Sequence, residues 1–304
     1  MSSPAAMPPG AWRRLLKNPV AVTSMLILAG IVVMAFLGPL VLETDPHLTS
    51  KAQFEPPGKH GWFGTDVNGR DVFARVLEGA RISLLVGFSG ALVSFFIGTA
   101  YGLIAGYAGG KTDALMMRLV EILYAIPRLI IIIIAGFVFD PILKQKLANV
   151  WDGAFVGYTQ ILILILSLGL IEWLTMARIV RGQVLALKSQ QFVLAARSLG
   201  QSHARIITRH LLPNLVGIVV IYLTLTIPAV ILDESFLSFL GLGVQAPQAS
   251  WGSLLSEGAQ VINPVRSYWW LLLFPALVMS MTLLALNFLG DALRDALDPR
   301  RRSS

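Results

Sequence analysis

Six stretches of the chain, residues 19–42, 82–107, 119–139, 155–176, 215–232 and 268–288, are almost unbroken in their apolar character. Each is close to the roughly 20 residues a helix needs to cross a hydrocarbon core. Helix is the state these runs must take, because a strand in lipid would leave backbone N–H and C=O groups without partners. Only 13% of the 304 residues are charged, against about a quarter in an ordinary soluble domain. The expectation is an all-α integral membrane protein, a polytopic bundle of six helices. The first stretch reads as a retained span: it is too long for a leader, and no Ala-x-Ala-like cleavage site follows it.

Six crossings put both ends on one side, and the basic residues say which. One side collects Arg13, Arg14 and Lys17; Lys111 and Arg118; Arg178, Arg181, Lys188, Arg197, Arg205 and Arg209; and Arg294, Arg300, Arg301 and Arg302. The other holds Lys51, Lys59, Arg70, Arg75, Arg81, Lys144, Lys146 and Arg266. Lys and Arg accumulate on the side that is not translocated. Both termini and the polar segment 191–214 are therefore expected in the cytoplasm of a multi-pass membrane protein. The same argument accounts for the net charge of +7 without nucleic acid, since no basic stripe or aromatic platform is present. Lipid is the implied surroundings. With no cysteine, disulfides, thiolate chemistry and Cys-ligated metals are excluded.

Two long loops lie on the outer side. Residues 43–81 carry Pro46, Pro56 and Pro57 and are too polar to span; within them 71–77 has the apolar spacing of a short interfacial helix. Residues 233–264 form the second loop. The chain divides naturally into 1–81 (cytoplasmic start, first span and outer segment), 82–290 (the membrane core) and 291–304 (a cytoplasmic tail). No internal repeat supports an inverted-repeat transporter.

No constellation calls for a cofactor, a metal or catalysis. Gly106-Tyr107-Ala108-Gly109-Gly110-Lys111-Thr112 spells part of a phosphate loop, but Ala105 stands where its first glycine belongs and the segment leaves a membrane helix, not a strand. It reads as a glycine-rich turn. His47, His60, His203 and His210 show no metal-ligand spacing. Ser89 lacks the glycine pattern of a nucleophile elbow. Gly87, Gly90, Ser94 and Gly98 fit helix-packing contacts. Charges inside spans are expensive and mark function or pairing. Glu121 can reach water at a span end; Arg128, after Pro127, can bind carbonyls freed by the proline; Glu172 can pair with Arg178. Arg128 and Glu172, with Glu234 after the fifth span, are the candidate pathway or gate residues. Pro127, Pro228 and Pro275 imply kinks.

Segment 191–214 reads as a helical hairpin. Ser189 can cap a first helix with Phe192, Ala195, Ala196 and Leu199 on one face. Gly200 supplies a left-handed stop, and Ser202 can cap a second helix running to Pro213. Ala195 and Ala196 let a partner approach, and Arg197, Arg205 and Arg209 keep the element out of lipid. On pattern alone, a loop resting on headgroups and a docking element fit equally well.

Four blocks in order carry a family resemblance: Gly64-Thr65-Asp66-Val67-Asn68-Gly69-Arg70-Asp71-Val72-Phe73 running into Gly79-Ala80-Arg81; Ala177-Arg178-Ile179-Val180-Arg181-Gly182 with the hairpin to Asn214; Glu234-Ser235-Phe236-Leu237-Ser238-Phe239-Leu240-Gly241-Leu242-Gly243 with Ser250-Trp251-Gly252; and Asn287-Phe288-Leu289-Gly290-Asp291-Ala292-Leu293-Arg294-Asp295 with Leu297-Asp298-Pro299-Arg300. The chain resembles the second permease subunit of the oligopeptide/dipeptide/nickel class of type I ABC importers. The resemblance implies that fold, with a cytoplasmic coupling hairpin between spans four and five formed by Ala195, Ala196, Arg197, Gly200, His210, Pro213 and Asn214. It implies no catalytic residues here, a second homologous permease, two cytoplasmic ATPase subunits and an extracytoplasmic solute-binding protein. Leu194 departs from the glutamate that often opens the coupling motif. Dipeptide, longer peptide, nickel complex and glutathione all remain open as cargo. The rival reading is an ion- or proton-coupled secondary transporter; an intramembrane hydrolase has less behind it.

Overall fold

The computed structural model describes residues 11–42, 44–59, 61–150, 158–262 and 265–297. His60, Phe155 and Arg300, Arg301 and Arg302 of the sequence reading lie outside these. Among the described residues every long element is helical, and extended pairing is confined to one bridge between Thr65 and Asp71. Helix α1 (Ala11–Lys17) leads into α2 (Pro19–Val41). Asn18 fixes that start, its side-chain oxygen accepting from the Val20 N–H at 3.0 Å.

Helix α3 (Val72–Ala108) is 37 residues long and contains the second expected span. The separate interfacial helix expected at 71–77 is instead its opening two turns. Asp71 caps it, accepting from the Phe73 N–H at 2.8 Å, and residues 72–80 are buried on every side. Phe54 and Phe63 of the outer segment, and Leu254 and Trp270, pack over Val72 and Val76. An interfacial helix would have kept one wet face.

Gly109 and Gly110, at φ +66° and +56°, end α3 and start α4 (Gly110–Ala125). The third expected span is broken: α4 and α5 (Arg128–Val150) meet at 85°. Ile126 takes extended backbone there (φ −84°, ψ 128°), as the residue before a proline is pushed to do. Helix α6 (Thr159–Lys188) is the fourth span. The hairpin follows as α7 (Gln191–Ser198), α8 (His203–Ile206) and a π-helical turn, Ile207–Leu211, that feeds α9 (Leu212–Phe239). The second outer loop is more structured than its sequence indicates. Helix α9 runs seven residues into it, and a Ser250/Ser253 capping box opens α10 (Trp251–Gln260). Helix α11 (Trp270–Leu297) closes the bundle. Among the described residues five helices are long and apolar enough to cross a membrane, six when the bent pair counts as one span. Pro228 and Pro275 are accommodated within continuous helices. The division points after residues 81 and 290 also fall inside continuous helices, α3 and α11.

The centre of the bundle is the seam between α3 and α6. Gly90, Ser94, Gly98, Gly102 and Gly106 recur every fourth residue and form one smooth ridge on α3. A Cβ at Gly98 would stand 2.6 Å from Cβ of Met176, and one at Gly106 2.8 Å from Cβ of Val184. Backbones approach this closely only where side chains are absent, and in lipid that packing holds helices together. Gly87 meets Ile231 of α9 in the same way. At the end where α3 begins, Arg75 donates to Asp66 (2.8 Å) and grips both oxygens of Glu257, tying the segment before α3 and α10 to α3. Trp270 donates to the Thr65 carbonyl at 3.3 Å, so α11 starts where α3 starts. The end of α11, with α1 against it through Leu15, Ala292 and Ala296, therefore sits at the hairpin end.

Candidate functional site: a docking hairpin and a charged elbow

The hairpin is built to stop and turn. Gly200 lies at φ +72°; its N–H reaches the Arg197 carbonyl (3.0 Å) while the Gln201 N–H reaches that of Ala196 (3.1 Å). Together these form a Schellman stop. Ser189 does not cap α7. It ends α6, donating to the Ala186 carbonyl, because the chain turns one residue later than the pattern suggests and Gln190 takes the cap position. Ser202 occupies the next cap position, without a side-chain bond to the helix.

The two faces of α7 are unequal. Val193 and Ala196 are buried in a cluster with Leu103 of α3, Met176, Val180 and Val184 of α6, and Leu211, Leu215 and Val219 leading into α9. Phe192, Leu194, Ala195, Arg197 and Gly200 are exposed, and Leu199 is 81% exposed. The face expected to run Phe192, Ala195, Ala196, Leu199 is thus divided: Ala196 points inward, and the other three form an open apolar surface rimmed by Arg197. Three further contacts brace the hairpin. His203 Nδ1 lies 2.6 Å from the Tyr107 hydroxyl at the end of α3. His210 Nε2 lies 3.0 Å from Gln201 Oε1. Asn214 donates to the His210 carbonyl at 2.6 Å, just past Pro213 in the first turn of α9. Lys188 donates to the Gly106 carbonyl, and Arg181 makes a two-pronged pair with Asp113 at 2.5 and 2.6 Å, holding the start of α4 to α6. The sequence reading missed these last ties, which cross between elements far apart in the chain.

The second constellation sits at the α4–α5 break. Arg128 does not seek backbone carbonyls: it lies 3.0 Å from Asp233 and 3.5 Å from Glu172. Glu172 is thereby paired across helices, not with Arg178, whose guanidinium lies 3.7 Å above the Tyr124 ring. Six residues along a helix rise about 9 Å, which separates Glu172 from Arg178, whereas the break swings Arg128 across. Tyr124 and Thr175 hydroxyls meet at 2.5 Å. Glu234 lies apart from this group. It is fully enclosed and accepts from Ser83 (2.8 Å), Ser235 (3.2 Å) and Ser238 (2.7 Å). It joins α3 to α9 out of reach of a passing solute. Asp233, its neighbour, is the charge the sequence reading left out.

Residues 98–303 match the family described as binding-protein-dependent transport system inner membrane component. The chain belongs to this family. Residues 10–57 of the permease also match the N-terminal transmembrane domain of oligopeptide transport permease C. A dipeptide transport system permease protein of Bacillus subtilis is 45% identical over 96% of this chain and 85% of its own length. An oligopeptide transport system permease protein of Haemophilus influenzae is 44% identical over 96% and 88%. Among solved structures, a chain of the inward-facing MetNI methionine ABC transporter shares the fold at TM-score 0.54 and 20% identity, covering 74% of this chain and 96% of that one. The all-helical bundle expected from the apolar runs is therefore the type I ABC importer permease fold. The chain is a permease subunit of a binding-protein-dependent transport system, which sets aside the ion-coupled transporter and the hydrolase.

Proposed function

We propose that this permease forms half of the path by which an ATP-driven importer moves dipeptides or oligopeptides inward, with both termini and the α7–α8 hairpin in the cytoplasm. On this reading the hairpin docks in a groove on one of two separate ATPase subunits, a second homologous permease supplies the other half of the path, and a soluble binding protein delivers cargo from outside. One observation carries the reading. The hairpin leaves one apolar face open, while its other face is cemented into the cluster that joins α3, α6 and α9. A push on Phe192, Ala195 and Leu199 cannot be absorbed locally, because Val193 and Ala196 transmit it to three spans at once. Close-packed interfaces shift between discrete arrangements and do not deform smoothly. The excess of basic residues at this end supports the cytoplasmic placement, and the naming of the bacterial relatives supports peptides as cargo.

The test uses an exposed position, so folding is spared. Ala195→Trp in the assembled transporter should reduce co-purification of the ATPase subunits about tenfold and abolish ATP-driven peptide uptake. The unfolding midpoint of the permease should stay within the small range typical of surface changes. Undiminished, ATP-coupled uptake by that variant would refute the docking role.

A further inference from the structure

The elbow carries an uneven set of charges. Arg128 serves two carboxylates, Glu172 and Asp233, and among the described residues no second cation pairs with either. The nearest basic side chain along α6, Arg178, is engaged with the Tyr124 ring. The anions are set deep, with side chains 14% and 10% exposed, while Arg128 at the mouth is 54% exposed. Glu172 lies midway along α6, and a charge set among apolar helices is costly unless it is balanced. Beside it opens a cavity of about 200 Å³ lined by Tyr124, Pro127, Arg128, Ile131, Glu172 and Thr175.

We propose that this elbow is a cation subsite on the solute path, where Glu172 and Asp233 receive the ammonium group of a cargo's amino terminus. Building on the peptide-import reading, it gives that path a chemical preference. A primary ammonium has three donors and no acceptor, and two carboxylates have acceptor sites to spare. Such charge-assisted bonds are the strong ones, and the covered setting raises their worth. Arg128 meets the carboxylates from the open side, as a resident counter-ion. When cargo enters, its ammonium takes over that role, and Arg128, at the end of a long side chain beside the Pro127 break, turns to the cargo carboxylate, so the net charge of the site is unchanged. Cargo thus meets a weak, replaceable partner and not a deep trap, which suits a site that must also release.

Equilibrium binding of tritiated dialanine and of N-acetyl-dialanine to the permease–ATPase complex in lipid nanodiscs, without binding protein, tests this. Wild type should bind dialanine about tenfold more tightly than the acetylated probe, the worth of one charge-assisted contact. Glu172→Gln combined with Asp233→Asn should remove that difference by weakening dialanine alone, while Glu172→Asp keeps most of it. Equal loss of both probes would show that the ion pairs only brace α5, α6 and α9, and would overturn the proposal. Equal wild-type affinities, or no measurable binding of either probe, would overturn it too, as would binding set by sodium or pH regardless of probe. Dialanine uptake by wild-type proteoliposomes with binding protein and ATP separates the two claims. Its absence sinks the peptide reading itself; its presence alongside probe-blind binding sinks only the subsite.

Discussion

At Glu234 the sequence offers a charge beside a span, and the structure encloses it completely among serines. The Ser83 hydroxyl that donates to it also accepts from the Trp251 N–H at 3.3 Å, and that of Ser238 accepts from the Val244 N–H at 2.9 Å. One carboxylate thereby organises α3, α9, α10 and the loop between. Each hydroxyl orphaned by its loss costs about 1–3 kcal/mol. Glu234→Ala should therefore lower the unfolding midpoint of the detergent-solubilised permease well below that of Glu234→Gln, which keeps an acceptor in place. Equal midpoints for the two variants would deny Glu234 this organising role. Arg128 and Glu172 were legible in the sequence as rare charges inside apolar runs. Their pairing was not, because it depends on the 85° break that carries Arg128 to α6 and α9. Neither was the enclosure of Glu234, which the serines of two distant helices create.

Among the elements, the crossing helices could be read directly, since an apolar run near 20 residues has few other fates. Part of the small-residue ridge on α3 was visible as well, Gly90, Ser94 and Gly98 reading as packing contacts, but Gly102 was passed over and Gly106 was taken for part of a turn. The start of α3 was misread because residues 71–77 look amphipathic alone, and only the outer segment and α10 make them buried. Helix α10 itself, ten residues with two glycines, was passed over inside the loop although its apolar residues share one face. The ridge yields a sharp prediction. A Cβ at Gly102 would stand 2.9 Å from Cβ of Val180 and 3.0 Å from the Arg181 nitrogen, so Gly102→Leu must push α3 from α6. Overpacking of this kind costs about 1–3 kcal/mol or more. The purified variant should unfold at lower temperature and lose coupled uptake, whereas Gly182→Leu, where a Cβ meets nothing within 4 Å, should do neither. Equal tolerance at both positions would contradict the close seam.

For the whole molecule, the account is mechanical. The end where α3 begins is tied together by Arg75, Asp66 and Glu257, the middle holds the charged elbow, and the far end presents a hairpin whose inner face is part of the bundle's packing. The sequence conveyed this order of parts through its apolar runs, its charge asymmetry and its motif blocks. It left the inner and outer faces of α7 mixed, because eight residues beside a tight stop fit more than one rotation about the axis. The central claim is that the open face of the hairpin points into the cytoplasm and is covered there by an ATPase subunit. The chain has no cysteine, so Leu199→Cys provides a single thiol on that face. A membrane-impermeant maleimide should leave it unlabelled in intact cells, label it in inside-out vesicles stripped of ATPase subunits, and fail again once those subunits are restored. Labelling from outside intact cells, or labelling that ignores the ATPase subunits, would contradict the account.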